Sequence, residues 1–120
     1  MRFAMREAIL NFMKAIFNEI NSTEELDKLF EKSNETPVVL FKHSTTCPIS
    51  SSVYHEISGA DAEINLVIVQ HSRSLAMAIA QKTGIRHESP QAIILRNGEP
   101  VYHASHFDIT AKDVESVLKD

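Results

Sequence analysis

Cys47 is the single cysteine among 120 residues, and its neighbours give it a specific setting. It follows the polar segment Lys42-His43-Ser44-Thr45-Thr46 and opens the stretch Cys47-Pro48-Ile49-Ser50. Proline fits the first position of a helix, where its missing N–H costs little, so Cys47 stands at a helix start. The partial positive charge there favours an anion by roughly 0.3–1 kcal/mol, at most about 2. Thiolate is the nucleophile of disulfide exchange, and a free cysteine is mostly thiol at neutral pH. The dipole alone is insufficient, so hydrogen bonds must add to it, and first-turn backbone N–H groups are available. Ser50, at i+3, shares a helical face with Cys47, so its hydroxyl is placed to donate to the sulfur yet is unable to form a disulfide. Thr46 and His43 are further candidate donors.

With no second cysteine in the sequence, an oxidised Cys47 is resolved only by a thiol from outside it. Mixed-disulfide chemistry is therefore the reaction that the residue inventory permits. A lone cysteine also forms no intramolecular disulfide, which favours a reducing, cytoplasmic setting. A solitary cysteine is in general a small buried apolar residue; the polar loop before Cys47 and the helix start after it argue for a reactive one. The chain holds six histidines, of which His103 and His106 invite a metal reading. One falls late in a strand and the other in a loop, with no supporting second pair, so no metal is expected.

The elements that must position Cys47 follow from pattern. A continuous apolar run, Val38 to Phe41, enters after Thr36-Pro37 and reads as a strand covered on both faces. Beyond Cys47, Val53, Tyr54 and Ile57 continue a helix closed by Gly59 as a left-handed cap. Ile64 to Val69 is a second strand, Ser72 caps a helix with Leu75, Ala76, Ile79 and Ala80, and Gly84 ends it. A helix between two strands implies parallel pairing through a right-handed crossover. Asn97-Gly98 between two apolar runs marks an antiparallel hairpin, and Thr110 caps a last helix facing inward through Val114, Val117 and Leu118. Upstream, Ser22 and Glu25 form a capping box for a helix carrying Leu26, Leu29 and Phe30.

Residues 1–20 are apolar, but Arg2, Arg6, Glu7, Lys14 and Glu19 interrupt them, against a signal peptide or membrane span. Ile9, Phe12 or Met13, Ile16 and Ile20 recur at helical spacing, which predicts an amphipathic helix over residues 3–20, with homodimerisation through it as a hypothesis. An apolar share of 43%, a charged share of 23% and a net charge of −4 describe one globular domain without the basic stripe that nucleic acid requires. No membrane association is expected either.

This order of elements is that of an α/β thioredoxin-like fold: a central mixed sheet of about four strands flanked by helices, with an extra N-terminal helix. The resemblance assigns residues 1–20 to an amphipathic extension and 21–120 to the thioredoxin-like domain. Cys47-Pro48-Ile49-Ser50 stands where members of the fold carry Cys-x-x-Cys. Ser89-Pro90, directly before a strand, resembles their cis-proline site, and Arg96-Asn97-Gly98-Glu99 is similar to the thioredoxin hairpin turn. Closer still, Phe41 through Ser50 and Lys82 through Gln91, with Val69-Gln70, resemble the YtxJ-like monothiol bacilliredoxins. That resemblance implies removal of bacillithiol from protein mixed disulfides, with bacillithiolated proteins as partners, bacillithiol as co-substrate and no bound cofactor. It also implies that Pro90, in the cis form, sets its backbone and that of Ser89 beside Cys47, where an extended substrate adds hydrogen bonds. Bacillithiol ends in a malate group, for which Lys42, His43 and Arg86 are candidate contacts, with Thr46 and Pro48 lining the approach to the sulfur.

Three other functions compete. A binding module on this fold would leave Cys47 no faster to alkylate than free cysteine. An iron–sulfur carrier would colour on anaerobic reconstitution, although Pro48 departs from the Cys-Gly-Phe-Ser loop of monothiol glutaredoxins. A one-cysteine peroxidase would react with peroxide, but the usual Thr-x-x-Cys pocket is absent.

Overall fold

The computed structural model describes residues 14–120. The apolar run becomes strand β2 (Val38–His43), in which every residue is buried. Strand side chains alternate between faces, so a strand apolar at successive positions needs cover on both. Val39 and Phe41 pack with Val53, Ile57, Ile94 and Val114 on one side, and Val38 and Leu40 with Leu26, Leu75, Ile79 and Ile93 on the other. The cover comes from α1 (Thr23–Lys32) and α3 (Arg73–Thr83) on the second face, and from α2 (Pro48–Ile57) and α4 (Ala111–Lys119) on the first.

Strands β1 (Ile16–Glu19), β3 (Glu63–Ile68), β4 (Gln91–Arg96) and β5 (Glu99–Ser105) complete one sheet in the order β1-β3-β2-β4-β5. β2 and β3 are parallel, with Val39 opposite Ile64 and Phe41 opposite Leu66, as the helical connection through α2 requires. β4 runs antiparallel to both β2 and β5. The β4–β5 turn places Asn97 at φ 55° and Gly98 at φ 76°, the positive region that the Asn-Gly pair tolerates. Ser22 Oγ accepts from the Glu25 N–H at 3.2 Å and Thr110 Oγ1 from the Asp113 N–H at 3.1 Å, so these two expected caps form, whereas Ser72, at the N-cap position of α3, makes no capping bond and its Oγ donates to Asn21 Oδ1 at 3.4 Å.

Two local expectations are corrected. Residues 16–19, read as the end of a helix over 3–20, form β1 beside β3, so the sheet has five strands and not about four. The open edge of β3 offers backbone partners: the Ile16 N–H donates to Ala62 O at 3.0 Å and the Ile20 N–H to Leu66 O at 2.9 Å. Phe17 turns inward to stack on Tyr54 at 4.6 Å between ring centroids, while Ile16 stays 61% exposed, the alternation of a strand. Residues 1–13, which hold the remainder of that expected helix and its dimer surface, lie outside the described residues. The second correction is Gly59: α2 ends at Ser58 in right-handed geometry (φ −64°, ψ −16°), and the Gly59 N–H continues the turn by donating to Glu56 O. Gly84 does take the left-handed cap, at φ 73°.

At Gly98 an added methyl group would meet no atom within 4 Å, so replacement acts on the backbone alone. Gly98→Ala is expected to lower stability by about 1–2 kcal/mol, the cost of a left-handed conformation for an L-residue; urea unfolding with an unchanged m-value checks it.

Candidate active site

One end of the sheet gathers the chemistry. β2 and β3 run toward it and β5 ends there, whereas β4 starts there; the register pairs His43 with Ile68, Lys42 with Gln91, and Gln91 with Ser105. Cys47 lies just beyond β2 as the N-cap residue of α2, with extended backbone (φ −103°, ψ 121°) and with Pro48 first in the helix. Its carbonyl accepts from the Ser51 N–H at 3.1 Å. The side chain makes no capping hydrogen bond, so the sulfur is not tied into the helix end. Cys47 is half-buried, and Thr46, Pro48 and Ile49 around it are exposed.

Ser50, expected to face the sulfur, is fully buried and directs its hydroxyl elsewhere. Oγ accepts from the Ser44 N–H at 2.9 Å and lies 2.8 Å from His43 Nδ1. The serine thereby joins the helix start to the end of β2 and to the loop between them. His43 sits under this loop against the Tyr54 ring at 4.8 Å and the Phe41 ring at 6.0 Å. Burial holds the His43 ring below the ordinary histidine range, so it is neutral at neutral pH and keeps one donor and one acceptor nitrogen.

Gln70 was not singled out as a site residue, yet it holds the three residues before Cys47. Its Nε2 donates to Ser44 Oγ at 2.8 Å and Thr46 Oγ1 at 3.0 Å, and its Oε1 accepts from the Thr45 N–H at 3.2 Å. The available signal was a two-ended amide shortly after a strand predicted to run parallel to β2, which brings it to the same end of the sheet.

At the same end of the sheet, the Ser89–Pro90 peptide is cis and Pro90 is buried. The Pro90 carbonyl accepts from the His106 N–H at 3.0 Å. Ser89 Oγ is buried and has no hydrogen-bond partner among the described residues. Continuing the β2–β4 register one step from Gln91 sets Pro90 level with His43.

Lys42, expected to meet a substrate carboxylate, is instead 0% exposed, on the face of β2 opposite His43. Its Nζ donates to Gln91 Oε1 at 2.8 Å and to His87 Nδ1 at 3.2 Å. Burial lowers its pKa from 10.5 to about 8, with the Glu88 carboxylate opposing the shift. Burial also lowers His87, helped by the charges of Lys42 and Arg73 and opposed by Glu88. A neutral His87 is the acceptor that a lysine ammonium needs. Arg86 is exposed, and its carbonyl accepts from Gln91 Nε2 at 3.0 Å. The structure thus brings Cys47, Thr46, Pro48, Ser50 and His43 into one cluster and sets Ser89–Pro90 at the same sheet end, while the Lys42 side chain turns to the other face. Among the described residues no group of three or more His, Cys, Asp or Glu side chains is arranged to hold a metal, and no helix is long and apolar enough to cross a membrane.

The profile of the monothiol bacilliredoxin family BrxC matches residues 18–114. A solved chain described by its thioredoxin fold is 33% identical, with 89% of this chain and 95% of that one covered at a TM-score of 0.77. Thioredoxins share the fold at lower identity. One from Schistosoma mansoni is 22% identical, covering 91% and 96% of the two chains at a TM-score of 0.62. A variant from Halobacterium salinarum is 17% identical, covering 91% of each at 0.62.

Two outcomes are expected of this geometry. Ser50→Ala leaves the partly buried Ser44 N–H and the buried His43 Nδ1 without this partner and lowers stability by about 1–3 kcal/mol in urea unfolding. For Lys42, the folded protein releases the proton near pH 8 and the unfolded chain near 10.5. Between those values the unfolded state binds the extra proton, so this group's contribution to stability rises with pH. The stability of the wild type relative to Lys42→Met should therefore increase from pH 8 to 10, read by urea midpoints at each pH.

Proposed function

Because the chain belongs to the monothiol bacilliredoxin family and is a thiol–disulfide oxidoreductase of thioredoxin fold, we propose that it removes bacillithiol from cysteines of cytoplasmic proteins, with Cys47 as the nucleophile. The observation that carries this reading is a half-buried thiol at a helix start, framed by exposed residues, in a chain with no other cysteine.

In the first step the Cys47 thiolate attacks the bacillithiol sulfur of a protein mixed disulfide. The new S–S bond joins Cys47 to bacillithiol, the old one breaks, and the target cysteine leaves as a thiolate that takes a proton from water. In the second step the thiolate of another bacillithiol attacks the same small-molecule sulfur. Oxidised bacillithiol departs as a disulfide and Cys47 is left as thiolate, so each cycle consumes one free bacillithiol thiol, releases one bacillithiol disulfide and reduces one target cysteine.

Exposed Thr46 and Pro48 border the sulfur and receive the target. The backbone at Ser89 and Pro90 offers a strand-like edge to an extended segment. Arg86, exposed, is the cation available to the malate carboxylates of bacillithiol; the buried Lys42 is not. His43 acts from beneath, through Ser50, by fixing the loop. Partners are bacillithiolated proteins and free bacillithiol, with no resident cofactor.

The test uses a bacillithiol-modified protein incubated with wild type or with Cys47→Ala, followed by mass spectrometry over time. The adduct should appear transiently on the wild type, and removal by Cys47→Ala should fall to the rate without protein. Equal removal by both would overturn the reading, and faster removal of glutathione adducts would change the small thiol while leaving the mechanism.

A further inference from the structure

We propose that Lys42 is a positioning residue, whose buried ammonium closes a hydrogen-bonded ring under residues 86–91 and so holds the Ser89–Pro90 backbone in the form that receives the target protein. The proposal rests on the reading of that backbone as the docking edge.

The ring is traced by three bonds, with a fourth branching to β5. Lys42 Nζ reaches His87 Nδ1 at 3.2 Å near the start of the segment and Gln91 Oε1 at 2.8 Å at its end. The Gln91 amide then returns to the Arg86 carbonyl at 3.0 Å, and more distantly to Ser105 Oγ at 3.4 Å. Ser89 and Pro90 lie between the two anchors, and the Pro90 carbonyl is held from the other side by the His106 N–H. Lys42 touches none of the reacting atoms, for it lies on the face of β2 away from the His43 and Ser50 pair.

The fold itself has no need of an ammonium here. Val38 and Leu40 occupy the same face of β2 and are apolar. An unbranched apolar side chain at position 42 would avoid the desolvation of a charge. What the ammonium alone adds is a pair of charge-assisted bonds, both to the segment that carries the cis peptide. The charged and titratable groups around it are His87 and Glu88 of the segment and Arg73 of α3, with Arg86, His103 and His106 around Glu88. When the ammonium loses its proton the amine still donates, but without charge assistance, so the ring weakens while the fold, on the linkage given above, gains stability. A purely structural lysine would move both quantities together.

The experiment measures kcat and KM for a bacillithiolated protein at pH 7 and 9 with wild type, Lys42→Met and Gln91→Glu, together with hydrogen exchange of the amides of residues 86–91 corrected for intrinsic pH dependence. Wild-type KM should rise severalfold from pH 7 to 9. Lys42→Met should show a KM about tenfold higher at pH 7, the size of one lost charge-assisted bond, with no further rise and with kcat within about twofold of wild type. Its 86–91 amides should exchange faster. Gln91→Glu, which places a carboxylate against Nζ but removes the amide donor to the Arg86 carbonyl, should raise KM at pH 7 and move the further rise to higher pH. Unchanged exchange in Lys42→Met, or faster exchange with an unchanged KM, would overturn the proposal. A wild type without Cys47-dependent removal would overturn the bacillithiol reading instead, and the exchange comparison would still decide whether Lys42 holds the segment.

Discussion

In the proposed reaction the Cys47 thiol meets whole proteins, so it has to lie near the surface, while the loop that carries it has to hold still. The Ser50 hydroxyl reconciles these demands. It is buried, accepts from the Ser44 N–H and pairs with His43 Nδ1, and thereby ties the first turn of α2, the loop and the end of β2 into one unit. The Cys47 side chain itself carries no capping bond. Gln70 completes the frame from β3's side, with three bonds to residues 44–46. A loop fastened from beneath and from one side leaves its tip open to a partner.

The alternation of β2 extends the same logic to the second half of the site. His43 and Lys42 are adjacent, so they face opposite sides of the sheet. His43 supports the cysteine loop, and Lys42 lies under the segment containing Ser89–Pro90. Two neighbouring residues of one strand thus connect to both segments between which a target cysteine would be held. That arrangement depends on β2 being central in the sheet, with β3 on one side and β4 on the other, and on helices covering both faces so that polar side chains there are forced to find partners.

Membership of the monothiol bacilliredoxin family agrees with this physical picture, since a serine at the fourth position of the motif can hold a loop but never resolve a disulfide. The absence of a second cysteine makes an external thiol part of any disulfide-exchange cycle. The position of the cysteine at the helix start, by contrast, is general to nucleophilic thiols and by itself names no substrate.

Much of the architecture was legible in the residues alone. Pro48 marked the start of α2, Asn97-Gly98 the hairpin, Thr110 and Ser22 the caps, and two apolar runs around a helix the parallel pair, because proline's fixed φ, positive-φ tolerance and capping bonds act within a few residues of their cause. Only the tertiary structure decided that residues 16–19 are a strand, since the spacing of Ile16 and Ile20 suits a helix until the open edge of β3 supplies partners for their N–H groups. It alone turned Ser50 inward, buried Lys42 and recruited Gln70. Those outcomes rest on partners 25, 26 and 49 positions apart along the chain, or, for Ser50, on which way a strand end and a loop present their donors. A buried polar group takes whatever partner the packing brings within reach, and no local pattern encodes which one that is.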